Sequence, residues 1–275
     1  MIRYLYFSKM VASGNDFIVI DIRKHPSIAA INKLAIKICN RKYGIGADGL
    51  LILEKSKRAN VKMRIFNPDG SEPDMCANGL RCISLWLRSK NIKTETKIIK
   101  IETKAGNVEA MVNNDKVKIK MMDPKNMKLK LPIKIGRRSI KVNFINTGVP
   151  HAVIFVEKLD EIDVVNIGRQ IRFHKRFMPE GTNVDFVEML DDNNIKLRTY
   201  ERGVEDETLA CGTGSVAAAV ITNYQLSIAN YKKINVYTKS GEILKVDFRK
   251  SNDINFEDVW LEGKAKIVYS GVYYV

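Results

Sequence analysis

Two periodicities organise the apolar positions of this chain. A period of two runs through Lys116-Val117-Lys118-Ile119-Lys120 and through Lys128-Leu129-Lys130-Leu131-Pro132-Ile133-Lys134-Ile135. It predicts half-buried strands with one solvated lysine face. Helical spacing instead links Ile28, Ile31, Ala35 and Ile38 behind Ser27 as N-cap, predicting a helix over 27–40 with a counterpart over about 163–174. Two further stretches, Cys76 to Arg88 and Cys211 to Thr222, are apolar nearly all round (Ile83-Ser84-Leu85-Trp86-Leu87; Val216-Ala217-Ala218-Ala219-Val220-Ile221). Such helices must be buried, and wrapping by the strands of their own half would bury them. The tail Ala265 to Val275 carries Ile267, Val268, Tyr269 and Val272-Tyr273-Tyr274-Val275, which predicts one closing strand.

The predicted elements occur twice. Gly14 and Gly148 are separated by 148 − 14 = 134 residues, as are Arg64 and Arg198. Arg41 and Arg176, Gly46 and Gly181, Cys76 and Cys211, and Thr103 and Thr238 are each 135 apart. Six matches in order at spacings of 134–135 residues mark an internal duplication. The fold class that follows is α+β, with two pseudo-symmetric halves. Each half is a mixed, mostly antiparallel sheet curled around a central buried helix. The boundaries expected are 1–125, completed by the strand 265–275, and 126–264.

Length and charge refine this picture. The 275 residues suit two halves, and 46 basic against 31 acidic residues give a net charge of +15. Residues 116–141 hold ten basic residues and one acid, Asp123, so much of the excess sits at the seam between the halves. A solvated strand face explains this better than a nucleic-acid surface, since aromatic residues that stack on bases are missing there. An apolar content of 45% excludes disordered and collagen-like classes. No run approaches a membrane span and no signal peptide is evident, so a cytoplasmic protein without a membrane partner is expected. Four cysteines without a CxxC pair predict free thiols in a reducing compartment.

Two of those cysteines carry the chemistry. Cys76 and Cys211 occupy the same place in each half, before a glycine-containing turn into a buried helix. Unpaired N–H groups and the helix dipole favour a thiolate there, with a pKa near ambient pH expected. The N–H groups of Ala77-Asn78-Gly79 and Gly212-Thr213-Gly214 form a ready carboxylate cradle. If the halves face each other, two thiols address one ligand from opposite sides. That suits a racemase or epimerase, which takes a proton from one face next to a carboxylate and returns one to the other. No pyridoxal lysine or metal-ligand cluster is evident, so no cofactor and no metal are expected. A disulfide or redox pair is the competing reading for Cys76 and Cys211, and Cys39 and Cys82 read as buried small hydrophobes.

The surrounding motifs are familiar. Lys9-Met10-Val11-Ala12-Ser13-Gly14-Asn15-Asp16-Phe17, Tyr43-Gly44-Ile45-Gly46-Ala47-Asp48-Gly49, Phe66-Asn67-Pro68-Asp69-Gly70-Ser71-Glu72 with Met75-Cys76-Ala77-Asn78-Gly79-Leu80-Arg81-Cys82, Gly148-Val149-Pro150-His151, Gly181-Thr182-Asn183-Val184, and Tyr200-Glu201-Arg202-Gly203 with Ala210-Cys211-Gly212-Thr213-Gly214 resemble the diaminopimelate epimerase family along essentially the whole chain. The resemblance implies cofactor-independent interconversion of LL- and meso-2,6-diaminopimelate in lysine and peptidoglycan-precursor synthesis, by a cytoplasmic homodimer. It implies that Cys76 and Cys211 are the catalytic pair and that His151 and Glu201 tune them. It further implies that Asn15, Asn67, Ala77, Asn78, Asn183, Glu201, Arg202, Gly212 and Thr213 contact substrate. The chain departs from the family's usual pattern at Ala77, where glycine is common and a positive φ would be strained, and at Gly49 and Val149. A proline-racemase-like enzyme is the nearest alternative, and a basic nucleic-acid-binding protein the alternative from another class.

Overall fold

The computed structural model describes residues 4–23, 30–91, 97–226, 231–251 and 254–275, with the side chains of residues 231 and 232 left aside. The chain divides into two compact units, one running to Ile119 and including Gly263–Val275, the other Lys120–Glu262.

In the first unit the order is β1 (Tyr4–Ala12), β2 (Asn15–Asp21), α1 (Ile31–Cys39), β3 (Gly49–Glu54), β4 (Val61–Phe66), α2 (Ala77–Ser89), β5 (Ile98–Thr103), β6 (Gly106–Asn113) and β7 (Lys116–Lys120). The final strand, numbered β17 in chain order (Lys266–Tyr274), lies antiparallel to β1 from Tyr4↔Tyr274 to Val11↔Lys266. β2 and β3 are parallel, as are β4 and β5, and the remaining neighbours are antiparallel. A helix follows β2 and another follows β4, because a parallel return needs a long crossover. α1 lays Ile31, Leu34, Ala35 and Ile38 on Leu5, Phe7, Ile18, Ile20 and Ile52 of the sheet. α2 packs on β1, β2, β6 and β17.

The second unit repeats this plan. Its elements are β8 (Lys125–Ile135), β9 (Arg138–Asn146), β10 (Pro150–Phe155), α3 (Val164–Arg172), β11 (Asn183–Met189), β12 (Asn194–Glu201), β13 (Asp206–Thr208), α4 (Gly212–Gln225), β14 (Tyr231–Thr238), β15 (Ile243–Lys250) and β16 (Phe256–Lys264). β10 and β11 are parallel, as are β12 and β14, in the same places as in the first unit. α4 touches β9, β10, β11, β12, β14 and β15, so the sheet curls around it. Eleven of its residues are buried, Gly212 and Gly214 among them, and its apolar circumference matches that setting. The expected α+β fold is thus present in both units.

One local expectation changes. The first helix begins at Ile31, behind Ala30 in a left-handed conformation at φ 55°, without a side-chain cap. Ser27, expected as its cap, lies outside the described residues. The lysine-rich segments are strands as expected: Val117 and Ile119 are buried on β7, and Lys128, Lys130 and Lys134 are exposed on β8. Among the described residues no helix is long and apolar enough to cross a membrane.

Candidate functional site

Each repeated cysteine is the N-cap of its unit's central helix. Cys76 caps α2 with extended backbone, and its Sγ accepts the N–H of Gly79 at 3.4 Å. Cys211 caps α4 in the same way, its Sγ accepting the N–H of Gly214 at 3.4 Å. The cap position leaves the first helical N–H groups pointing past the sulfur, where a carboxylate can be received. All four cysteines are free thiols. Ala77 opens α2 and is not among the positive-φ residues, so the alanine there fits without strain. Cys39 and Cys82 are buried, and burial pushes the Cys39 thiol up to about 12, which keeps it inert.

In the first unit the side chains around Cys76 form a polar web. Asn78 donates from Nδ2 to Asn15 Oδ1 at 2.5 Å and accepts from buried Arg81 at 2.7 Å. Arg81 also donates to Ser13 Oγ at 2.6 Å, and Asn15 donates to Asp48 Oδ2 at 3.3 Å. Behind them Arg41 bridges Asp16 and Asp48, while Lys9 pairs with Asp16 at 2.7 Å and donates to the Gly46 carbonyl. Partial burial alone would raise the Asp16 pKa, yet the hydrogen bonds from Arg41 and Lys9 hold the carboxyl far below its ordinary range. Asn67 follows β4 and sits in a turn, with its Nδ2 donating to Ser71 Oγ at 2.9 Å.

In the second unit His151 is fully buried on β10. Its Nδ1 lies 2.7 Å from Asp185 Oδ2 and its Nε2 3.0 Å from Thr213 Oγ1. Thr213 Oγ1 in turn stands 3.4 Å from Cys211 Sγ. Thr199 donates to the other Asp185 oxygen at 2.8 Å. Asn183 fixes the neighbouring loop: it donates to the Pro150 carbonyl at 3.0 Å and accepts the Arg202 backbone N–H at 2.8 Å. Arg202 donates from its guanidinium to the Glu180 carbonyl at 3.0 Å. Burial raises the pKa of Glu201, against a smaller opposing effect of the Thr208 hydroxyl and His151.

The electrostatics of Cys211 depart from expectation. Burial is the leading influence, and the nearby carboxylates of Glu201 and Asp185 add to it. Together they push the thiol well above its ordinary pKa, against the hydrogen bonds of Thr213 and the Gly214 N–H. The helix terminus is present but does not win, because its partial charge competes with two carboxylates and with lost solvation. The sequence reading also passed over Asp185, Thr199 and Arg81. A usable signal existed for Asp185, a carboxylate inside the apolar run Val184-Asp185-Phe186-Val187. Among the described residues no group of three His, Cys, Asp or Glu side chains is placed to hold a metal.

This architecture is shared with solved structures of low sequence identity. A PhzF-family phenazine biosynthesis protein from Bacillus anthracis superposes with a TM-score of 0.77 at 16% identity, covering 100% of both chains. A hydroxyproline epimerase from Agrobacterium vitis gives 0.73 at 16% identity, over 99% of this chain and 93% of the other. Fold and paired helix-capping cysteines therefore define the class, a two-unit α+β protein built by duplication. Within that class, residues 7–128 and 143–266 match the model of the diaminopimelate epimerase family. Over 274 residues the chain is 40% identical to the diaminopimelate epimerase of Aquifex aeolicus, covering 96% of each. It is 41% identical over 284 residues to that of Methanocella arvoryzae, covering 96% of this chain and 95% of the relative. The chain belongs to the diaminopimelate epimerase family and is an isomerase.

Proposed function

We propose that the protein interconverts LL- and meso-2,6-diaminopimelate without a cofactor, serving lysine and peptidoglycan-precursor synthesis, with Cys76 and Cys211 as the two bases. The observation that carries this reading is the repeated cap, a cysteine sulfur 3.4 Å from a helix N–H at the head of both central helices. One thiolate takes the α-proton, the electron pair spreads into the carboxylate as an enediolate, and the opposite thiol returns a proton to the other face. The roles exchange in the reverse direction, as microscopic reversibility requires. Burial and the flanking carboxylates favour the thiol form of Cys211.

The remaining residues then divide by chemistry. N–H groups at Ala77, Asn78, Gly212 and Thr213 receive the reacting carboxylate, whose charge grows in the transition state. Arg202, with Asn15, Asn67 and Asn183, binds the distal amino-acid end, where a guanidinium fork suits a carboxylate. His151 and Glu201 adjust the protonation of Cys211. A cytoplasmic homodimer without nucleic-acid or membrane partners completes the reading, and sedimentation at micromolar concentration tests the dimer. The deciding experiment is incubation with LL-diaminopimelate in deuterium oxide under reducing conditions. Deuterium should appear at an α-carbon as meso product forms; an unlabelled, unconverted substrate would sink the assignment.

A further inference from the structure

The two units share one backbone plan, and the core of the second carries a polar cluster where that of the first is apolar. In the first unit Phe17 pairs with Gly49 and Leu51 with Ile65; in the second His151 pairs with Asn183 and Asp185 with Thr199. The spacings 151 − 17, 185 − 51 and 199 − 65 are all 134, so His151, Asp185 and Thr199 stand where the first unit has Phe17, Leu51 and Ile65. Glycines of the two helices report the same correspondence. A Cβ at Gly79 would meet Leu51 Cδ2 at 3.1 Å, and one at Gly214 would meet Asp185 Oδ1 at 2.5 Å.

Those three polar residues are almost wholly shielded from solvent, with exposures of 0% for His151 and Asp185 and 2% for Thr199. Burying a carboxylate and an imidazole is unfavourable unless they are paired, and the apolar set of the first unit shows that the backbone does not need them. They are linked in a line that ends at sulfur. Asp185 is acceptor-only when ionised, so the 2.7 Å contact fixes the proton of His151 on Nδ1. Nε2 is then an acceptor, and the hydroxyl of Thr213 at 3.0 Å donates to it. That leaves Thr213 Oγ1 free to accept from the Cys211 thiol at 3.4 Å. Every donor along the line points the same way.

Resting on the two-cysteine reading above, we propose that Asp185 and Thr213 are positioning residues of a proton relay, Cys211–Thr213–His151–Asp185, that lets a thiol buried among carboxylates serve as a base. In the step, the Cys211 S–H bond breaks and its proton goes to Thr213 Oγ1. The Thr213 O–H bond breaks and that proton goes to His151 Nε2. The result is a thiolate, an intact hydroxyl and an imidazolium whose charge Asp185 balances. Reversal regenerates the thiol. The relay belongs to the second unit only, because Asn78 stands at the position of Thr213 in the first (213 − 78 = 135) and Phe17 at that of His151.

The test joins a spectroscopic readout on the protein alone to kinetics. The chain has three histidines, so a nitrogen-15 correlation spectrum assigned by omission with His151→Gln reports the His151 tautomer. The native protein should show Nδ1–H, and Asp185→Asn should shift the ring toward Nε2–H, because an amide can donate to Nδ1. In the epimerase assay Asp185→Asn should lower kcat about 100-fold with KM changed less than about threefold. Thr213→Val should lower kcat similarly and Thr213→Ser should restore most of it, a pair that decides the matter if Asp185→Asn does not fold. A native Nε2–H tautomer, or full kcat in Thr213→Val, would overturn the relay. A native enzyme with the Nδ1–H tautomer but no activity on diaminopimelate would overturn the substrate assignment and leave the tautomer result in support of the relay.

Discussion

A sulfur 3.4 Å from a helix N–H is drawn toward thiolate by the helix and toward thiol by whatever else surrounds it. At Cys211 the surroundings prevail, through burial first and then Glu201 and Asp185. Replacing Glu201 by Gln removes one of those carboxylates. It should move the alkylation of Cys211, followed by mass spectrometry across pH, to lower pH. Cys76 is partly exposed whereas Cys39 and Cys82 are buried. Iodoacetamide at pH 8 should therefore modify Cys76 well before either of those two, with Cys39 held back further by its pKa of about 12. Cys76→Ala and Cys211→Ala should each reduce epimerisation by about 1,000-fold or more, since neither base alone completes an inversion; an assay of meso product from LL substrate reads this directly.

Among the elements, the central helices were the most legible in the sequence. Cys76 and Cys211 precede apolar stretches too uniform for a surface helix, and both stretches are buried helices capped by those residues. The first helix was less legible. Spacing of Ile28, Ile31, Ala35 and Ile38 cannot register that Ala30 takes a left-handed conformation, from which no helix propagates. Packing of α3 on β12 also escapes any one-dimensional pattern. Gly168 lies where a Cβ would stand 2.5 Å from Tyr200 Cβ. Glycine to alanine inside a helix ordinarily stabilises by about 1 kcal/mol. Here Gly168→Ala should instead destabilise by about 1–3 kcal/mol through overpacking, and thermal unfolding should show a lowered Tm.

For the molecule as a whole, the Lys9–Asp16–Arg41–Asp48 cluster ties β1, β2 and the segment after α1 together through charge. The folded-state pKa of Asp16 lies below the unfolded value of 3.8. Its contribution to stability is therefore complete above about pH 4 and is lost as pH falls through the folded pKa. Urea midpoints should drop as pH is lowered below 4. Arg41→Ala, which removes three hydrogen bonds to these carboxylates, should flatten that slope; an unchanged slope would exclude Asp16 from the acid limb.

The sequence by itself determined the duplication, the fold class, the family and the places of Cys76 and Cys211 at helix starts. These depend on periodicity and on local motifs, and a chain displays both in one dimension. Tertiary structure decided which influence governs Cys211, since lost solvation and the carboxylates of Glu201 and Asp185 arise only when β11, β12 and α4 pack together. It also decided that Asp185, His151 and Thr213 form a line, although they are 34 and 62 residues apart in sequence. Hydrogen bonds act over about 3 Å, and the register of β10 on β11 together with the packing of α4 on both brings these residues within that range.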